Sequence, residues 1–229
     1  MKSSNPFKDR RSAGKLLADR LKDLEPAHPV VLAMPRGGVP VAAEVAKALH
    51  APLDLVLVRK IGVPYQPELA AAAVVDGGEP EIVVNDEVVR MAGLTQDYID
   101  EQAQEELAEI ERRRQVYLEG RPRPSLENRT LILIDDGIAT GASIRAAIAA
   151  LKRKNPARLI LAVPVAPADT IELLKTMVDD VVCLETPEPF FAIGMHYDDF
   201  HQVPDEEVVR IMNEVANVEQ EPARAGHSA

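Results

Sequence analysis

The segment Leu131-Ile132-Leu133-Ile134-Asp135-Asp136-Gly137-Ile138-Ala139-Thr140-Gly141-Ala142-Ser143-Ile144 gathers the residue types that can do chemistry. A run of apolar residues predicts a buried strand, and that strand ends in two adjacent carboxylates. A short loop with two glycines and two hydroxyls then leads into a helix. The first turn of a helix presents unpaired amides and the positive end of its dipole, so it accepts an anion such as phosphate. Gly137 and Gly141 allow close backbone approach and positive φ. Thr140 and Ser143 can donate to phosphate oxygens. Asp135 and Asp136 would repel that same phosphate, so they should face hydroxyls or a cation. A ribose diol with magnesium nearby satisfies both. A plainer reading is a helix cap, with Asp136 or Ser143 capping and the glycines making a turn. Against it, two charges at the end of a buried strand are costly without a ligand or cation. The loop is not a P-loop, because no Lys follows the second glycine, and it lacks the G-x-G-x-x-G spacing of a dinucleotide site.

Other segments could join it. Met34-Pro35-Arg36-Gly37-Gly38-Val39-Pro40 follows a predicted strand and precedes a predicted helix; taken alone it is a turn. Arg59-Lys60 ends another apolar run, where a basic pair is ordinarily solvated surface. The stretch Pro187 to Phe200 carries Phe190, Phe191, Tyr197 and Phe200, either a small satellite core or a lid over a ligand. Cys183, the single cysteine, lies in an apolar run and reads as a buried strand residue rather than a nucleophile. His196 and His201 read as surface residues, because no cluster of His, Cys and carboxylate has metal-site spacing.

The elements that must position these residues alternate along the chain. Val30–Met34, Leu53–Val58, Leu131–Ile134, Leu159–Val163 and Val181–Leu184 are continuous apolar runs, which indicates a sheet covered on both faces. Helical patterns at Val41, Val45 and Leu49, at Ile144, Ile148 and Leu151, and at Ile171, Leu174 and Val178 lie between them. Strand, helix and strand in series predict a parallel five-stranded α/β sheet with flanking helices, with ligands at the carboxyl ends of the strands. Residues 64–128 break the rhythm. Ala70–Val75 and Ile82–Val84 read as a hairpin around Asp76-Gly77-Gly78. Gln96–Leu118 reads as a charged helix with a thin apolar stripe and a Glu109–Arg113 pair. Arg121-Pro122-Arg123-Pro124 closes this insertion, which is expected to lie over the ligand edge as a lid. A single domain is expected over residues 1–215, with a hood at 186–205 and a disordered polar tail at 216–229.

Composition narrows the function classes. The chain has 229 residues and 46% hydrophobic content, but only 3% aromatics, so the core must be aliphatic. A net charge of −11 disfavours nucleic-acid binding, which needs cations to neutralise phosphates. The run Arg112-Arg113-Arg114 is offset by Glu105, Glu106, Glu109 and Glu111. The polar stretch Met1 to Arg11 has no signal-peptide character, and no run reaches the ~18 apolar residues of a membrane span. A cytoplasmic protein without membrane partners is expected.

Four apolar residues, Asp135-Asp136, then Ala139-Thr140-Gly141-Ala142-Ser143 resemble the binding signature for 5-phosphoribosyl 1-pyrophosphate (PRPP) in type I phosphoribosyltransferases. The resemblance covers the sheet and the hood, and the insertion has no match. It implies that Asp135 and Asp136 hold the ribose hydroxyls while Ile138, Ala139, Thr140, Gly141, Ala142 and Ser143, after Gly137, cradle the 5′-phosphate. It implies that Arg36 and the amides of Gly37 and Gly38 meet the diphosphate, joined by Arg59 or Lys60. Phe191 would stack on an acceptor base, and Asp198 would meet magnesium, although its spacing is shorter than in the purine-salvage members. The implied activity is Mg2+-dependent transfer of the phosphoribosyl group from PRPP to a small nitrogen acceptor of the nucleobase type. Two rival readings use the same fold: a non-catalytic PRPP-sensing regulator and a PRPP-cleaving hydrolase. A homodimer is expected. Members that use 6-oxopurines carry an Asp where this chain has Ala139, which implies that hypoxanthine and guanine are poor acceptors.

Overall fold

The computed structural model describes residues 5–76 and 80–224. The chain begins with α1 (Arg10–Lys22), whose first turn is closed by Asp9 accepting from the Ser12 amide. There follow β1 (Pro29–Ala33), α2 (Gly38–Leu49) and β2 (Leu53–Leu55). An excursion then runs through β3 (Leu57–Val63), β4 (Gln66–Asp76), β5 (Pro80–Val84), α3 (Asp86–Ala92) and α4 (Gln96–Leu118). The chain returns through β6 (Thr130–Ile134), α5 (Ala142–Lys152), β7 (Arg158–Val165), α6 (Ala168–Lys175) and β8 (Asp180–Glu185). A 3-10 turn at Ile193–His196 and α7 (Asp205–Arg224) complete it.

The main sheet is parallel, with five strands in the order β2-β1-β6-β7-β8. Successive residues of a strand point to opposite faces. Val31, Ala33, Ile132 and Ile134 therefore pack under α1, α2 and α7. Val30, Leu32, Leu131 and Leu133 pack under α5 and α6. Burial on both faces is why these strands read as unbroken apolar runs. The expected α/β architecture is found, and the aliphatic core matches the composition.

The expected strand Leu53–Val58 is divided. Leu53–Leu55 pairs with β1, and the Val56 amide still bonds Ala33 O at 2.9 Å. The chain then turns, and Leu57 opens an antiparallel three-stranded sheet, β3-β4-β5. Both halves are buried, so hydrophobicity could not mark the change of direction. The hairpin expected at Ala70–Val75 and Ile82–Val84 is present; its glycines, Gly77 and Gly78, lie outside the described residues. The helix at Gln96–Leu118 is found with those limits, burying Ile99, Ala103, Ile110 and Tyr117 against the second sheet and α7. Glu109 accepts from Arg113 as expected and from Arg112 as well, and these guanidiniums hold its carboxyl down at about 2.

α7 corrects the expected tail. Val208, Ile211, Met212 and Val215 form one helical face in the core, and the helix runs to Arg224, so residues 216–224 are helical; residues 225–229 lie outside the described residues. Among the described residues no helix is long and apolar enough to cross a membrane.

The two sheets are clasped by Arg123, in the Pro-rich segment after α4. Its guanidinium bonds Asp54 of β2 at 3.0 Å and Asp76 of β4 at 2.6 Å, and reaches Leu55 O at 3.1 Å. Both aspartates are buried. Removing the cation strands two buried carboxylates, a loss on the order of 3–5 kcal/mol. Arg123→Met is expected to lower the melting temperature by about 10 °C; a calorimetric scan within about 2 °C of wild type would show the clasp to be dispensable.

Candidate functional site

The order of the main sheet reverses between β1 and β6, and a crevice for ligands opens where such strands diverge. The Met34 amide still donates to Ile134 O at 2.9 Å, so the two strand ends separate only at Pro35 and Asp135. The loops are then pressed together. A Cβ on Gly37 would overlap the Asp136 carboxylate, and one on Gly38 would lie 2.8 Å from Ile134 O. The two glycines singled out for their amides thus have a steric duty: only a bare backbone lets the Arg36 loop cross the paired acids.

Asp136 is buried, and its Oδ2 accepts from Arg10 Nε at 2.7 Å. Arg10 Nη1 donates to His201 O at 2.8 Å, and its guanidinium lies 3.8 Å from the centre of the Phe200 ring. Tyr197 donates its hydroxyl to Asp136 O at 2.6 Å. Asp135 is partly exposed, and its Oδ1 accepts from the Asp136 amide at 2.9 Å. Burial, and then the charge of Asp136, push the Asp135 carboxyl well above the usual carboxylate range. Burial also raises Asp136, with Arg10 opposing it. The cation that sequence reasoning demanded for these acids is therefore in part supplied by the protein. Arg10 lies 126 positions away in sequence, and nothing local to it signals the role.

The phosphate-type loop is braced from beneath. Ile138 N donates to Val165 O at 2.9 Å, and Thr170 of α6 donates its hydroxyl to Ala139 O at 3.2 Å. Gly141 caps α5 at φ 72°, the left-handed region that glycine favours. Gly137 and Ile138 are buried, Ala142 and Ser143 half-buried in the first turn of α5, and Ala139 and Thr140 exposed at the loop's crest. Arg36 lines a cleft of about 390 Å³ with Gly37, Asp136, Arg10, Phe200 and His201. Its Nη1 stands 3.4 Å from Asp205 Oδ1, which also accepts the Tyr117 hydroxyl at 2.7 Å. Tyr117 is buried; desolvation and then Asp205 push its hydroxyl up to about 12. Neither Tyr117 nor Asp205 was legible as a site residue.

The remaining candidates lie elsewhere. Arg59 pairs with Glu106 of α4 at 2.5 Å. Lys60, pointing to the other face of β3, lines a different cavity from Arg36, so the structure does not bring Arg36 and Lys60 into one cleft. Phe7, Tyr197, Phe200 and Phe190 form the satellite core considered from sequence, whereas Phe191 is 73% exposed. Asp198 is exposed, and among the described residues no group of three or more His, Cys, Asp or Glu is placed to hold a metal ion. The expected metal role of Asp198 thus gains no ligand set. Cys183 is half-buried on β8, and burial pushes its thiol up to about 11, which removes it as a nucleophile at neutral pH.

The raised Asp135 carboxyl has a consequence for stability. Its folded value lies above its unfolded one, so the folded state binds more protons between the two, and stability from this group falls as pH rises through that window. Asn in its place carries no charge to desolvate. Asp135→Asn is expected to match wild type in melting temperature near pH 4 and to exceed it increasingly toward pH 7 in ligand-free protein. A gap that stays flat with pH would refute the burial of charge at this position.

Comparisons with known proteins bear on this site. Residues 9–199 match the family model described as the phosphoribosyl transferase domain. The chain is 45% identical over 207 residues to a Mycobacterium tuberculosis protein provisionally named a phosphoribosyl transferase, in strains H37Rv and CDC 1551. That match takes in 90% of this chain and 46% of the relative, so the chain spans about half the length of the curated relatives it matches. The crystal structure of TT1426 from Thermus thermophilus is 43% identical, with a TM-score of 0.81, covering 91% of this chain and 98% of that one. Paired acids ending β6, a braced loop entering α5 and a family match across the whole sheet agree, and the chain belongs to the phosphoribosyl transferase family.

Proposed function

We propose that the chain transfers the phosphoribosyl group of PRPP to a small nitrogen acceptor of the nucleobase type and releases pyrophosphate. The observation that carries this reading is the pair Asp135 and Asp136 at the switch point, one short loop before a helix N-terminus. Phosphate at the α5 amides leaves the ribose hydroxyls facing Asp135, whose proton affinity is raised and whose carboxylate has no ion-pair partner among the described residues. Asp136, already bonded to Arg10, orients the loop and offers its remaining oxygen. Arg36 lines the adjoining cleft, where a guanidinium offsets charge developing on a departing diphosphate.

Magnesium fits this site through the ligand rather than through a protein cage. Hard cations take oxygen donors, and the carboxylates of Asp135 and Asp136 are the oxygens at hand. When bound, the ion would neutralise diphosphate charge. The chain's own residues bind and orient: the α5 amides with Thr140 and Ser143 hold phosphate, Asp135 holds the diol, and the hood, anchored by Tyr197 on Asp136 O, limits water access on one side.

Ala139 bears on the acceptor. It stands at the exposed crest of the loop, and a methyl group there can neither donate nor accept a proton. Hypoxanthine and guanine are therefore expected to be poor acceptors beside adenine or a pyrimidine.

Calorimetry with PRPP and Mg2+ tests the site, and an acceptor panel read as pyrophosphate and nucleotide tests the reaction. The double variant Asp135→Asn, Asp136→Asn is expected to lose PRPP affinity at least ~30-fold, about 2 kcal/mol for two charge-assisted contacts. Unchanged affinity in a folded double variant would end the ribose assignment. Pyrophosphate release that no acceptor accelerates would favour hydrolysis, and efficient use of guanine would overturn the inference from Ala139.

A further inference from the structure

A second cavity, of about 510 Å³, lies between the antiparallel sheet and α5, and it shares no lining residue with the Arg36 cleft. Its lining is mostly apolar: alanines of β4 and α5, among them Ala73, Ala146 and Ala149, together with Leu69, Val83, Val84 and Met177. Its rim carries Lys60, Arg145, Asn85 and Thr140. The size is that of a pocket for a small molecule.

Two cations stand together on this rim. Lys60 and Arg145 have no ion-pair partner among the described residues. Their neighbours do: Arg59 pairs with Glu106, and Arg153 and Lys154, beyond the far end of α5, both pair with Glu81. With 37 acidic residues against 26 basic ones, acids are not scarce. Two like charges on one rim repel each other, and an anion between them turns that repulsion into attraction. Arg145 also stands in the first turn of α5, where the helix dipole favours negative charge. Alanines make up much of this lining, with Leu69, Val83 and Val84 beside them, and small side chains leave room for a flat ring.

We propose that this cavity binds a small aromatic carboxylate, its carboxylate held between Lys60 and Arg145 and its ring laid on the alanine floor. A guanidinium meets a carboxylate with two parallel hydrogen bonds, and the ring gains from leaving water. Inorganic phosphate would use the cations and none of the floor. Binding here does not depend on the reaction proposed above. Its consequence for that reaction does: Thr140 and Ala142 belong both to this cavity's lining and to the phosphate-type loop, so an occupant touches the loop that would hold PRPP.

The test uses 2-naphthoate as probe and its uncharged amide as control, by calorimetry on the whole chain. Naphthoate is expected to bind wild type, and at least tenfold more weakly to Arg145→Met and to Lys60→Met with Arg145→Met. Ala149→Phe, which fills the floor, is expected to weaken it similarly. Melting curves confirm that each variant is folded; Arg145 is exposed, so its variant alone keeps the test valid if others fail. Naphthoate binding should survive Asp135→Asn with Asp136→Asn, the variant that tests PRPP, so the two ideas fail separately. Equal binding of the amide, unchanged affinity in the Arg145 variant, no naphthoate binding at all, or inorganic phosphate binding as tightly as naphthoate would each overturn the proposal. So would a self-associating chain that Ala149→Phe renders monomeric without any naphthoate binding, which would make the cavity a subunit contact.

Discussion

Burying the carboxylate of Asp136 at the end of β6 is a cost that the surrounding structure is arranged to offset. The Arg10 guanidinium does so at 2.7 Å, and the same group bonds His201 O and lies over Phe200. One cation thereby ties α1, the central strand and the hood into a single unit. Tyr197 adds a second tie through Asp136 O, and its hydroxyl is raised far above its ordinary value by burial. Removing one partner of such a pair leaves an uncompensated buried charge, so the loop geometry and the stability of the site are coupled. Asp135 has no such ion pair among the described residues, and burial, with the charge of Asp136 beside it, raises its carboxyl. The protein thus supplies an ion pair to one of the two adjacent acids and, among the described residues, none to the other.

The second sheet is held by comparable chemistry. Arg123 joins Asp54 and Asp76 across the junction, Arg59 fixes α4 through Glu106, and Tyr98 of α4 donates to Gly62 O at 2.9 Å. The excursion expected as a lid is therefore for the most part a packed layer with its own share of the core. Its exposed tip is the β3–β4 turn, where Tyr65 is 96% exposed. Through Tyr117 and Asp205, the end of α4 also reaches Arg36, so this layer supports the cleft as well as bordering it.

The charge distribution leaves cations in the clefts of an acidic chain. Fields from exposed charges decay over about 8 Å at physiological ionic strength, so a net charge of −11 is felt less in a cleft than the cations lining it. Arg10 and Arg36 stand in one cavity, Lys60 and Arg145 in another. The triple-arginine run on α4, by contrast, is held by Glu109 and Glu111 on its own helix and offers no basic face.

Sequence by itself determined the parallel sheet, most of its strands and the loop that carries the paired acids. Those features are local: a continuous apolar run, a glycine-bearing turn and a helical period are written in neighbouring residues. Two helices, α1 and α7, were equally legible in principle, since Val208, Ile211, Met212 and Val215 have plain helical spacing. Tertiary structure alone decided the rest. It split Leu53–Val58 between two sheets, because burial is the same on either side of a bend. It matched Arg10 to Asp136 and Arg123 to Asp54 and Asp76, since a buried charge requires a partner but does not encode which one. It turned Lys60 away from Arg59, because adjacent strand residues face opposite ways, and it placed Lys60 in a different cavity from Arg36, because β3 had already left the main sheet.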